Sequence, residues 1–190
     1  MYKRQELIYS GHEHTAFAAI EGMRERTVTL NGFSKAFAMT GWRVGYCCAP
    51  RELLAPMFKI HQYTMLCASI QGQIAADRAL GRAFETNFED VRAMVRSYDR
   101  RRRLMVEEMN AMGLPCLEPR GAFYVFPSIR GTGLTSEDFC TRLLRQQHVA
   151  CVPGTAFGAS GEGHIRCSYA TSMESLREAL KRIRAFLNTL

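Results

Sequence analysis

A chain of 190 residues is long enough for one good hydrophobic core or two small ones. Its 47% hydrophobic and 23% charged residues are the balance of an ordinary soluble globular protein, and no apolar run reaches the roughly 20 residues of a membrane-spanning helix. The formal net charge of +7 raises nucleic acid as a partner, but no zinc-finger, RNA-recognition or helix-turn-helix signature accompanies it. Fixed arginines also suit anionic small molecules.

The first residues, Met1 to Glu6, lack the apolar core of a signal peptide, so a cytoplasmic location is expected. Residues 1–25 read as irregular, with a short helical turn near Thr15 to Ile20. Thr27 to Leu30 is a β-branched run that predicts a strand, and Arg43 to Cys48 predicts a second. Pro50 ends that strand, and helical spacing follows at about 52–63 and 69–80. A long helix over about 88–112 carries Val91, Met94, Val95, Tyr98, Met105, Val106 and Met109 at helical spacing, until Gly113 stops it. Arg100 to Arg103 lie within this helix with Glu107 and Glu108 one turn on, the pattern of a solvated charged face.

Beyond Gly113 the rhythm shortens. Strands are predicted near 115–117, 122–126, 150–152 and 165–169. A helix near 136–147 opens with Thr135 as its cap, supported by Asp138. The last helix starts after Ser172 and buries a stripe of Leu176, Leu180, Ile183 and Leu187. Alternating strands and helices make this an α/β or α+β protein, with the long helix bridging two units and a boundary near residue 87.

Seven cysteines are present, without Cys-x-x-Cys spacing, and read as buried thiols of a reducing compartment. Cys47 and Cys48 should point to opposite faces of their strand. His12-Glu13-His14 is a His-x-His pair with no evident third metal ligand, so no metal site is assigned. Ser34 has no evident His and Asp partners for hydrolase chemistry, and Glu6 and Glu118 show no pairing for a two-carboxylate mechanism.

The chemistry concentrates between Asn31 and Tyr46. A strand leads in, small residues surround Lys35, Arg43 follows eight residues later, and a strand leads out. A lysine whose pKa is lowered by burial or by neighbouring cations can condense with an aldehyde. An arginine can grip a phosphate with two parallel hydrogen bonds. Gly32, Gly41 and Gly45 permit close backbone approach.

This stretch resembles the lysine signature of the class I/II aminotransferases: Gly32, Phe33, Ser34, Lys35, Ala38, Met39, Gly41, Arg43, Val44 and Gly45 fill every specified place. The likeness extends over roughly residues 6 to 190, and is nearest to bacterial aspartate, aromatic and alanine aminotransferases. Gly121 to Tyr124 resembles a strand of the family's small domain, Pro153 to Gly158 the loop before its last strand, and Gly163 to Ala170 the strand bearing the arginine for the substrate carboxylate.

The resemblance implies the fold type I architecture: the end of the large α/β domain over residues 1–87 and the small α+β domain over 88–190. It implies pyridoxal 5'-phosphate (PLP) as cofactor, bound covalently by Lys35, which would also move protons during transamination. Arg43 would bind the cofactor phosphate, with Ser34 and Gly32 against it, and Arg166 would bind the substrate α-carboxylate. Amino acid and 2-oxo acid substrates and a homodimer are implied too, and Tyr63 or Thr64 could reach substrate across the dimer. β-Lyases, decarboxylases and a non-catalytic aminotransferase-like module share the pattern.

The chain departs from the family at its start. Relatives carry Asp-x-x-Tyr upstream, the Asp pairing with the pyridinium nitrogen. Here those places fall on Met1 and Arg4, and the family's preceding half has no counterpart. The expectation is a truncated reading frame, with residues 1–87 exposing sheet edges and helix faces and the chain, on its own, poorly soluble or partly unfolded outside its small domain.

Overall fold

Residues Thr29–Gly32 (β1) and Gly45–Cys48 (β2) pair as antiparallel strands in the computed structural model, which describes residues 6–190. Their register sets Thr29 against Cys48, Leu30 against Cys47, Asn31 against Tyr46 and Gly32 against Gly45. The expected strands covered Thr27 to Leu30 and Arg43 to Cys48, and the ladder is displaced from both. Thr27 closes a short 3-10 turn, its hydroxyl donating to the Met23 carbonyl at 2.6 Å. Arg43 is in the left-handed region at φ 52°, which turns the chain rather than extending it.

Between the strands lie the short helix Phe33–Ala36 (α1) and a 3-10 turn, Thr40–Trp42. Phe33, Met39 and Val44 point inward and meet Ala76 of helix Ile70–Glu85 (α3), with Phe37 and Leu80 packed around them. This small core fixes the loop that carries Lys35. At Gly45, a Cβ atom would stand 2.8 Å from the Asn31 carbonyl oxygen. Glycine there therefore permits the tight crossing of the two strands.

Helix Arg51–Thr64 (α2) buries none of its residues. Around it, Leu30, Phe58, Ile60 and Tyr63 face solvent. The β1–β2 ladder has no third strand among the described residues. The expectation of exposed apolar faces and open sheet edges in this region matches that geometry.

The described residues divide into two compact units, one ending at Val95 and the other running from Arg96 to Leu190. The division falls inside the long helix Glu89–Ala111 (α4). In the second unit, Tyr124–Val125 (β3), Ile165–Ser168 (β5) and Val152–Pro153 (β4) form an antiparallel sheet in the order β3-β5-β4. Ser136–Gln147 (α5) and Met173–Leu187 (α6) complete the unit, and both caps expected from sequence form. Asp138 N–H donates to Thr135 Oγ1 and Ser175 N–H to Ser172 Oγ, each at 3.1 Å.

Three expectations need correction here. Residues 115–117 form no strand, because the Asn110 side chain satisfies both the N–H and the carbonyl of Cys116, at 2.9 and 3.1 Å, and holds the segment against α4. The inner stripe of α6 ends on Phe186, not Leu187: Phe186 is fully buried, edge-on to Phe139 at 5.2 Å, one helical turn after Ile183.

Arg102 is the third. It is only 1% exposed, whereas the Arg100 to Arg103 run was expected to face solvent. Its guanidinium pairs with Asp99 at 2.7 Å, with Glu118, and with the Pro119 carbonyl at 3.2 Å. A buried guanidinium without partners would carry a large desolvation cost, and this fork of acceptors offsets it. Burial lowers the Arg102 pKa, but the hydrogen bonds that Arg102 donates to Glu118 and Asp99 outweigh it and raise the value overall. Glu118 is thus paired with an arginine and not with a second carboxylate.

The cysteines also divide. Cys116, Cys140 and Cys167 are buried as expected, but Cys48 and Cys67 are exposed.

Candidate active site

Lys35 occupies the third position of α1, and Arg43 ends the turn that follows it. The left-handed backbone at Ala38 and Arg43, each at φ 52°, folds the Lys35–Arg43 segment back on itself. The result is a cavity of about 440 Å³ into which Lys35, Ser34, Thr40 and Arg43 all face, floored by Gly32 and Gly45. The four residues expected to hold a cofactor therefore share one cavity. Arg43 Nη1 donates to the Thr40 carbonyl at 3.0 Å, which sets the plane of the guanidinium. Asn31 Oδ1 accepts from the Gly32 N–H at 2.8 Å, and Asn31 Nδ2 donates to Tyr46 Oη at 3.2 Å and to Glu6 Oε1 at 3.4 Å. Asn31 thereby fixes the strand end from which Ser34 and Lys35 project.

No carboxylate is among the described residues lining this cavity; an amine, a guanidinium, hydroxyls and an amide supply its polar character. Such a donor set fits an anionic group. A larger apolar groove of about 810 Å³ lies beside it, lined by Leu30, Tyr46, Leu54, Phe58 and His61. Size does not decide the site, since the groove is lined by neither Lys35 nor Arg43.

In the second unit, Arg166 projects from β5. Its guanidinium carbon lies 4.4 Å from the ring centre of Tyr124 and 4.7 Å from that of Phe157. No carboxylate among the described residues forms an ion pair with it. Two aromatic faces hold the planar group, leaving its edge donors for an acceptor from outside. The part played by Tyr124 and Phe157 was not read from sequence. They come from β3 and from the 3-10 turn Gly154–Phe157, and only the sheet brings them to Arg166.

Tyr63 and Thr64, weighed as substrate contacts, sit at the end of α2. Tyr63 is exposed, and the Thr64 hydroxyl donates to its own helix at Ile60 O, 3.0 Å away. Met1 and Arg4, where relatives carry the Asp and Tyr of the cofactor ring, lie outside the described residues.

The family model for aminotransferase class I and II matches residues 5–183. The chain belongs to this family. The Bacillus subtilis protein YugH is 55% identical over 183 residues, 96% of this chain and 46% of that protein. An aspartate aminotransferase of Pyrococcus abyssi is 46% identical over the same share of each. Among solved structures, the aromatic aminotransferase from Pyrococcus horikoshii OT3 superposes with a TM-score of 0.91 at 46% identity, covering 98% of this chain and 49% of that one. The chain thus spans about half the length of the curated relatives it matches, and it has the mixed α/β fold of these aminotransferases. Among its described residues, no helix is long and apolar enough to cross a membrane.

Proposed function

We propose that the protein is a PLP-dependent transaminase, which moves an amino group from an α-amino acid to a 2-oxo acid, with Lys35 as the residue bound covalently to the cofactor. The observation that carries this is the cavity in which Lys35 and Arg43 lie together, with no carboxylate among its described lining residues, in a chain of the aminotransferase family. When bound, PLP supplies an aldehyde that takes up amino groups and a ring that withdraws electrons from the substrate α-carbon.

The chain's own residues have separable tasks. Arg43, with Ser34 and the backbone at Gly32, binds the cofactor phosphate through charge-assisted hydrogen bonds. Lys35 Nζ anchors the cofactor at rest. The same amine would be placed to take up the proton lost from the substrate α-carbon. Arg166 binds the substrate α-carboxylate by its edge, so the α-carbon is presented in a fixed orientation. Residues 1–87 belong, in this proposal, to the end of the cofactor-binding domain and 88–190 to the small domain. The enzyme is proposed to act in the cytoplasm as a homodimer, on the strength of the family resemblance.

The test is chemical. The protein is mixed with PLP, reduced with borohydride and digested, and the modified peptide is located by mass. A pyridoxyl group on Lys35, lost in Lys35→Ala, is the expected result. Modification scattered over surface lysines, with Lys35 unmodified, would overturn the assignment.

A further inference from the structure

Cys151 and Cys167 face each other across two strands that the proposed chemistry uses only for Arg166. In the β4–β5 register, Val152 pairs with Arg166 and Pro153 with Ile165, so one step further Cys151 stands opposite Cys167. The Gly154 N–H donates to the His164 carbonyl at 2.8 Å, which makes 154 and 164 a hydrogen-bonded pair. Such pairs alternate along an antiparallel ladder, so 151 and 167 occupy a non-hydrogen-bonded position. There the Cα atoms approach to about 4.5 Å and the side chains are closest, inside the roughly 4.4–6.8 Å over which a disulfide closes. The two sulfur atoms are already 3.4 Å apart, in a thiol–thiol hydrogen bond.

We propose that Cys151 and Cys167 are a redox-active dithiol, which a peroxide oxidises to a reversible intramolecular disulfide.

The two sulfurs differ in ways that order the steps. Cys151 is half-buried and Cys167 buried, so an oxidant arrives at Cys151. The hydrogen bond from Cys167 holds the Cys151 thiol below the ordinary cysteine value, while the same contact and burial push Cys167 well above it. Cys140 is pushed up to about 12, by burial first and then by Cys151, which keeps it a protonated bystander. The Cys151 thiolate attacks one peroxide oxygen, the O–O bond breaks, and a sulfenic acid forms as water leaves. The Cys167 sulfur then attacks Cys151 Sγ, expelling the hydroxyl, which departs as water with the Cys167 proton. In sum, two thiols and one hydrogen peroxide give one disulfide and two waters, and a dithiol reductant restores the thiols. The bridge would clamp β4 to β5 at the position next to Arg166.

The test uses the intact chain in its native buffer, treated with hydrogen peroxide, quenched by alkylation and digested without reductant. The expected product is one cross-linked peptide pair holding Cys151 and Cys167, lost on dithiothreitol treatment and absent in Cys151→Ser. The same treatment in denaturant is the comparison: there Cys151 should cross-link at least as often to Cys140, which is nearer in sequence, so a native-specific 151–167 pair reports the ladder. If both remain alkylatable while exposed Cys48 and Cys67 are oxidised, or if either pairs with another cysteine in the native chain, the proposal is overturned.

Discussion

The Arg166 guanidinium packs on two rings, 4.4 Å from the centre of Tyr124 and 4.7 Å from that of Phe157. A carboxylate-binding arginine must be rigid as well as charged, because orientation contributes to rate as well as affinity. The two ring contacts supply that rigidity without using the edge donors. In a double-mutant cycle of Arg166→Met and Tyr124→Leu, urea unfolding should show a coupling energy of about 0.5–1 kcal/mol, the usual worth of a partly exposed cation–π pair. Strict additivity would show that the ring does not hold the arginine.

Arg43 allows fold and function to be separated. Its φ of 52° is a conformation that costs a side-chain-bearing residue roughly 1 kcal/mol and costs glycine almost nothing. Arg43→Gly should therefore leave stability unchanged or raise it by up to about 1 kcal/mol. It should also weaken PLP binding about 10- to 100-fold, through loss of charge-assisted hydrogen bonds. Thermal melts and cofactor titration by absorbance check the two halves. A destabilised variant that binds PLP normally would reverse the assignment.

What could be read from the sequence followed a physical division. Lys35, Ser34, Gly32 and Arg43 lie within a dozen residues, so their meeting in one cavity is local geometry visible in the spacing. The two helix caps, Thr135 and Ser172, are equally local. Arg102 was misjudged because its neighbours Arg100, Arg101 and Arg103 suggested a uniform charged face. The signal was present nonetheless: Tyr98, Arg102, Met105 and Met109 follow the three-four spacing of one helix stripe, and that stripe faces inward. Tyr124, Phe157 and the Cys151–Cys167 pair could not be found by spacing at all, since only strand pairing makes them neighbours.

The Arg102 cluster predicts a pH dependence. Arg102 donates to Glu118 and holds its carboxyl below the usual carboxylate range. A carboxyl depressed in the folded state adds stability above its unfolded pKa of about 4.3, and that contribution fades as the pH falls through the lower folded value. Glu118→Gln should accordingly flatten the acid limb of the stability curve below about pH 4 and leave its slope near neutrality unchanged. Urea midpoints measured across that range decide it. A variant with the same acid limb as the parent would mean that the pair does not contribute in solution.

Glycine at 154 leads to the most severe prediction. A Cβ there would stand within 2.0 Å of the Gly161 carbonyl oxygen and 2.8 Å from that of His164. Both are backbone atoms, which cannot move aside as a flexible side-chain end would. Glu162 and Ser136 anchor the segment further: Glu162 Oε1 accepts from the N–H groups of Ser136 and Gly163 at 2.8 and 2.9 Å, and buried Ser136 Oγ accepts from the Gly163 N–H at 2.9 Å. Gly154→Ala must therefore push the loop off β5 or break that network, costing at least about 1–3 kcal/mol, the usual range for overpacking. Ser136→Ala should cost about 0.5–1.5 kcal/mol by a different route, the net worth of a lost hydrogen bond, since the Gly163 N–H keeps Glu162 Oε1 and the His164 N–H keeps the Gly161 carbonyl. If the network is what resists the displacement, the two losses should fall short of additive in the double variant, because a loop already released accommodates the new methyl group more cheaply. Full additivity in urea unfolding would mean that the loop is held by something other than Ser136.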